Sequence, residues 1–200
     1  MDAGATIDDV RDRTETERTR LGSDKVLIAA TDATLETDAV LTAAATRESG
    51  LATVLDRWAA ETESAVATQF EAAAEDAAGR TDRIDADAGD PDGFLDHLET
   101  VSGTAQRVGV GLVAAPLIAD QLYLQVVSFF INEADEQRAD TFREIRREAS
   151  ALDDGETALG YLSESERETA AAAATEAIEA AYVDYAETLE AMGLDPKPIC

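Results

Sequence analysis

The stretch SESERETAAAAATEAIEAAYVDYAETLEAMG, residues 163–193, decides the fold. Ser163 stands three positions before Glu166, the spacing at which a hydroxyl and a carboxylate satisfy each other's orphan backbone donors at a helix start. Ile178, Tyr182, Tyr185, Leu189 and Met192 then recur at alternating spacings of four and three. That spacing lines one side of a helix packed nearly parallel to its neighbours. Gly193 supplies the stop, and Pro196 and Pro198 forbid continuation.

The same helical period extends upstream. Residues Gly103 to Ser150 are the most apolar part of the chain, divided by Pro116. From Leu51 to Ala78, a broad stripe of Leu51, Leu55, Trp58, Ala65, Val66 and Phe70 leaves Asp56, Glu63 and Glu71 to one side, as in an amphipathic helix. Gly79 reads as its stop and Arg80 to Asp90 as a charged connection, closed by Asp90-Pro91 before a short helix through His97. A further helix is expected from Asp24 to Thr46, with Leu27, Ile28, Leu35, Val40 and Leu41 on its apolar side. The opening segment Ile7 to Arg20 is polar, and the expectation is a helix that packs weakly or pairs with another chain. No segment alternates with the β-branched and aromatic enrichment of a strand. The expected fold is therefore all-α, an antiparallel helical bundle forming one domain over residues 1–200: a polar N-terminal helix (1–22), the bundle (24–192) and a tail (193–200).

The charge narrows the setting. Against 43 acidic residues stand 16 basic ones, giving a formal net charge of −27, and of the basic residues only Lys25 and Lys197 are lysines. Such a surface repels itself in dilute buffer, whereas molar salt shortens the screening length to about 3 Å. The expected home is thus the cytoplasm of a high-salt cell. Nucleic acid is not an expected partner, because phosphate binding needs a basic footprint. The densest basic run, Arg138, Arg143, Arg146 and Arg147, is interleaved with Asp135, Glu136, Asp140, Glu144 and Glu148 at ion-pairing distances along a helix. A single cysteine, Cys200, excludes an internal disulfide and reads as a free exposed thiol. The acidic N-terminus carries no secretory signal pattern.

The uninterrupted apolar run Val108 to Ala119 is shorter than a bilayer requires, and Asp120, Gln121, Gln125 and Ser128 interrupt the apolar residues beyond it. No membrane span is expected. Leu112, Leu117, Leu122, Val126, Phe129 and Phe130, with the seam from Ile178 to Met192, offer enough apolar area to suggest a homodimer or a protein partner.

Catalytic motifs are sparse. His97 is the only histidine and lies between apolar neighbours; Gly109 and Gly111 match only two glycines of a dinucleotide fingerprint, within a helix-like stretch. One run does resemble a known family. Asn132-Glu133-Ala134-Asp135-Glu136-Gln137-Arg138-Ala139-Asp140-Thr141-Phe142 is similar to the last metal-binding helix of rubrerythrins and other ferritin-like proteins, in which a Glu followed three positions later by His binds a di-iron centre. Here Glu136 is followed at that position by Ala139, and Glu75 by Ala78. The resemblance implies a ferritin-like four-helix core with extra N-terminal and short helices, lacking the metal-ligand histidines. Two functions are then expected as alternatives: a non-catalytic bundle without cofactor that works by self-association or partner binding, or a degenerate di-metal carboxylate protein. The second would be an oxidoreductase or metal-storage relative holding iron or manganese. Glu75, Glu133 and Glu136 are then the candidate ligands, with Asp120 near them, and an all-oxygen set of this kind also suits Mg, Ca or Mn.

Overall fold

A computed structural model describes residues 1–196, so Lys197, Pro198 and Cys200 lie outside the described residues. Those residues form α-helices, one π-helical segment and no strand. In chain order they are α1 (Ala3–Arg13), α2 (Glu15–Leu21), α3 (Val26–Ala30), α4 (Thr37–Glu61), α5 (Val66–Thr81), α6 (Gly93–Thr100) and α7 (Thr104–Arg107). The π-helical segment Val108–Ala114 comes next, then α8 (Ala115–Asn132), α9 (Glu136–Ala149), α10 (Asp153–Tyr161) and α11 (Glu164–Ala191).

The last helix starts as its sequence requires. Ser163 caps α11, its hydroxyl accepting from the Glu166 amide while the Glu166 carboxylate accepts from the Ser163 amide at 2.8 Å. Gly193 follows with φ +78, the left-handed conformation that favours glycine after a helix end.

Several boundaries differ from the sequence expectation. The opening helix breaks at Thr14, whose buried hydroxyl bonds the Val10 carbonyl at 2.7 Å. Both halves are held by the chain's own core: Ile7, Val10 and Leu21 are buried, α1 lies against α10 and α11, and α2 lies against α8 and α11. The expected helix from Asp24 to Thr46 is cut between Ala30 and Thr37, where Asp32 and Ala33 take positive φ. Conversely, α4 runs straight through Gly50, against which Leu95 of α6 packs so closely that a Cβ would sit 2.5 Å from its Cδ1. The short helix is capped by Asp92, whose side chain accepts from the Leu95 amide, two residues later than the expected Asp90.

Contacts give the direction of the main helices. Trp58 meets Phe70 while Glu48 meets Arg80, so α4 and α5 are antiparallel. Tyr123 packs on Phe142 while Asp120 pairs with Arg146, so α8 and α9 are antiparallel as well. Tyr123 bonds Glu48 while Gly111 faces Trp58, which sets the central helix antiparallel to α4.

That central helix is continuous from Thr104 to Asn132, 29 residues, long and apolar enough to cross a membrane by length and composition. Two thirds of its most apolar window, 67%, is buried inside the chain, as for a core helix. Val108, Leu112, Leu117, Leu122, Val126 and Phe130 all lie in the core, as do Ile178, Tyr185 and Leu189 of α11. The surface that suggested a second copy is thus mostly covered by the chain itself. Pro116 does not divide the helix. A proline inside an α-helix clashes with the preceding turn and leaves one carbonyl unbonded. Here the preceding turn is π-helical and wider, and Gly155 of α10 packs against the Leu112 carbonyl, where a Cβ would stand only 2.3 Å away.

One acid beside this packing carries a cost. Asp154 of α10 is held above the ordinary carboxylate range, first by burial and then by the charges of Asp76 and Asp153. The folded chain therefore favours its protonated form. The stability this contributes is present below the ordinary range and lost as pH rises through the raised value. Asp154→Asn is expected to raise the melting temperature at neutral pH and to leave it unchanged near pH 3, a pair of thermal scans that compares directly with the parent.

Candidate functional site

Among the described residues, the most enclosed polar constellation lies between α4, α5 and α8. Glu48 is 1% exposed, Arg80 6% and Tyr123 0%. Arg80 Nε donates to Glu48 Oε2 at 2.8 Å, and the Tyr123 hydroxyl donates to Glu48 Oε1 at 2.5 Å. Burial pushes the Tyr123 hydroxyl well above its ordinary value, and the adjacent Glu48 charge adds to that. It therefore stays protonated and acts as a donor. Phe142 of α9 packs on Tyr123 and stacks on Phe130, closing the fourth side.

The helices place these groups by period. On α4, Glu48 falls on the stripe of Leu41, Ala44, Leu51, Leu55 and Trp58; on α5, Arg80 continues Val66, Phe70, Ala74 and Ala77. Two opposite charges thus stand where each helix must face the core. An unpaired buried charge would cost several kcal/mol, so each requires the other. Arg80 belongs to α5, which passes through Gly79 instead of stopping there and ends at Thr81.

The metal candidates lie elsewhere. Glu75, Glu133 and Glu136 are all exposed. Glu133 is the C-cap residue of α8 and Glu136 opens α9, with Ala134 between them at φ 57, so the run that resembles a ferritin-like helix contains a turn. Asp120 is engaged by Arg146 at 2.9 Å. Among the described residues no three His, Cys, Asp or Glu side chains converge as a metal site requires. His97 is half-buried on α6, and its carbonyl accepts from Thr100.

No protein-family model matches the chain, and neither does any curated protein or solved structure at a significant level.

Proposed function

We propose that the chain is a non-catalytic helical-bundle protein of a salt-adapted cell that works by binding, through association of copies or docking of a protein partner. The observation that carries this reading is closure of the polar centre. Both Glu48 oxygens are bonded to Arg80 and Tyr123, all three side chains are buried, and none is presented to a substrate. A general acid or base must reach the proton it transfers.

A ferritin-like arrangement belongs to the same proposal, with α4, α5, α8 and α9 as the four helices. Glu48, Arg80 and Tyr123 come from three of them, and Phe142 of the fourth packs on Tyr123. In that reading the Arg80 guanidinium supplies, beside the one buried carboxylate, the positive charge that metal ions supply to the carboxylates of ferritin-like relatives. Metal analysis of protein purified in molar salt tests it. Well under one equivalent of iron or manganese per chain is expected, and a near-stoichiometric amount would overturn the non-catalytic reading in favour of the di-metal alternative. Light scattering in molar potassium chloride tests association: a mass of two chains supports a dimer, whereas a single-chain mass at high concentration leaves docking of a different protein as the mode of action.

The salt-adapted setting has its own measurement. With a net charge of −27, self-repulsion falls as ions screen the surface, so the melting temperature is expected to climb steadily from low salt to molar potassium chloride. A melting temperature that ignores salt would remove this part of the proposal.

A further inference from the structure

A groove of about 240 Å³ lies between α4 and α6, apart from the polar centre. Contacts between the two helices fix its outline. At one end the Gly89 amide donates to Thr46 Oγ1 at 2.7 Å, at the other Arg57 pairs with Glu99 at 2.6 Å, and between them Leu95 packs directly on Gly50. Thr46, Ser49 and Thr53 line it from α4, and Asp96 and Glu99 from α6. Its volume lies below the about 300 Å³ at which pockets for drug-sized ligands begin, so it suits a small molecule or a single side chain.

The polar groups of this lining accept hydrogen bonds and have none left to donate. Each hydroxyl gives its proton to its own helix: Thr46 to the Thr42 carbonyl at 2.8 Å, Thr53 to the Ser49 carbonyl at 2.8 Å and Ser49 to the Thr46 carbonyl at 3.4 Å. Their oxygens keep lone pairs. The nearby amides are engaged too, Gly89 by the Thr46 hydroxyl, Leu95 by the Asp92 side chain and Asp96 by the Asp92 carbonyl. No lysine or arginine lines the groove, and Arg57 at its end is held by Glu99. Asp96 is exposed, and among the described residues no cation pairs with its carboxylate. Val54, Pro91 and Leu95 add an apolar wall.

In molar salt the screening length is about 3 Å, so direct contacts and not the net charge select what stays in such a groove. Acceptors beside an apolar wall match N–H donors on an aliphatic chain. A potassium ion makes no use of the wall, and a quaternary ammonium has no N–H to give. We propose that this groove binds a primary ammonium group carried on a short aliphatic chain. Asp96 takes the charge, the Ser49 and Thr53 oxygens accept N–H bonds, and Val54 and Leu95 cover the methylenes. A free aliphatic amine and the lysine side chain of another protein share this chemistry. One chain carries the whole groove, so the inference does not rest on the association or docking proposed above.

The test is a titration of nitrogen-15-labelled protein in molar potassium chloride with pentylamine. The Ser49, Gly50, Thr53, Gly89 and Asp96 amide resonances are expected to move and to saturate. They should stay in place with pentanol, which lacks the charge, and with tetramethylammonium, which lacks the donors. N-acetyl-lysine amide separates the two sources: saturation at a lower concentration than pentylamine assigns the groove to a lysine side chain, and at a higher one to a free amine. Asp96→Asn should weaken pentylamine about fivefold, the upper end for an exposed ion pair, with the melting temperature unchanged. Glu144→Gln, at an exposed acid of α9, removes the same charge elsewhere and should leave the binding as it is. Amides that do not move with pentylamine would overturn the proposal. So would an equal response to pentanol or tetramethylammonium, or undiminished binding to Asp96→Asn. The comparison of pentylamine with tetramethylammonium on the parent decides the matter without any variant, and its failure leaves the metal content and the solution mass of the chain as separate questions.

Discussion

Arg80→Met alone is expected to cost about 3–5 kcal/mol of folding stability, the range for removing one partner of a buried ion pair. Glu48, 1% exposed, would keep only the Tyr123 hydroxyl, and a single neutral hydrogen bond does not offset a desolvated carboxylate. The triple change Glu48→Leu, Arg80→Met, Tyr123→Phe removes every member of the network at once and leaves no orphan. It should recover most of the loss, and replacements of this kind have often matched or exceeded the parent by about 1–4 kcal/mol. Urea unfolding in molar potassium chloride measures both. The signal is the fluorescence of Trp58, the only tryptophan, which is fully buried beside Phe70 and beneath Arg107. A cost below about 1 kcal/mol for the single variant would mean that the pair behaves as a surface salt bridge.

The network was readable in principle. A glutamate at the place where Leu41, Ala44, Leu51 and Leu55 mark the buried side of α4, and an arginine three positions beyond Ala77 on the buried side of α5, are charges that the helical period sends inward. Two features hid them. In a chain with 43 acidic residues a single Glu carries little information, and Gly79 before Arg80 imitates a helix stop. The gap expected between a helix ending at Thr46 and one starting at Leu51 is absent too, because α4 runs through it. Neither Gly50 nor Gly79 ends its helix, and at Gly50 the side chain of Leu95 packs close, a neighbour forty-five residues away that no local pattern reveals. Local chemistry was sufficient where it is self-contained: the Ser163–Glu166 capping box, the stop at Gly193 and the absence of strands among the described residues. The break between α8 and α9 was not legible, since it rests on Ala134 in a conformation alanine seldom adopts. The Glu133–Glu136 pair assumed one continuous helix there, and its two carboxylates stand instead on either side of a turn.

Four glycine-to-alanine changes of identical chemistry are expected to split in sign by what each new methyl group meets. At Gly79 of α5 and Gly160 of α10 a Cβ has nothing within 4 Å, so alanine only reduces the freedom of the unfolded chain and favours the helix. Each should gain about 0.4–1 kcal/mol. At Gly109 the Cβ would stand 2.0 Å from the Ala170 carbonyl oxygen of α11, and at Gly155 2.3 Å from the Leu112 carbonyl oxygen. Both obstacles are backbone, which cannot turn to another rotamer, so helices must move apart. Overpacking of this kind costs about 1–3 kcal/mol or more and outweighs the same gain in propensity. Gly109→Ala carries a further consequence. Gly109 lies in the π-helical segment that leads into α8, and any shift there is transmitted along a continuous helix to Tyr123, fourteen residues on. A displaced Tyr123 leaves Glu48 with one bond fewer, so Gly109→Ala should lose more stability than Gly155→Ala in the same urea titration. Placing Tyr123→Phe in each background separates the two effects. If the Gly109→Ala loss runs through the polar centre, the phenylalanine change costs little beyond it. If the loss is only a local clash with Ala170, the two changes add.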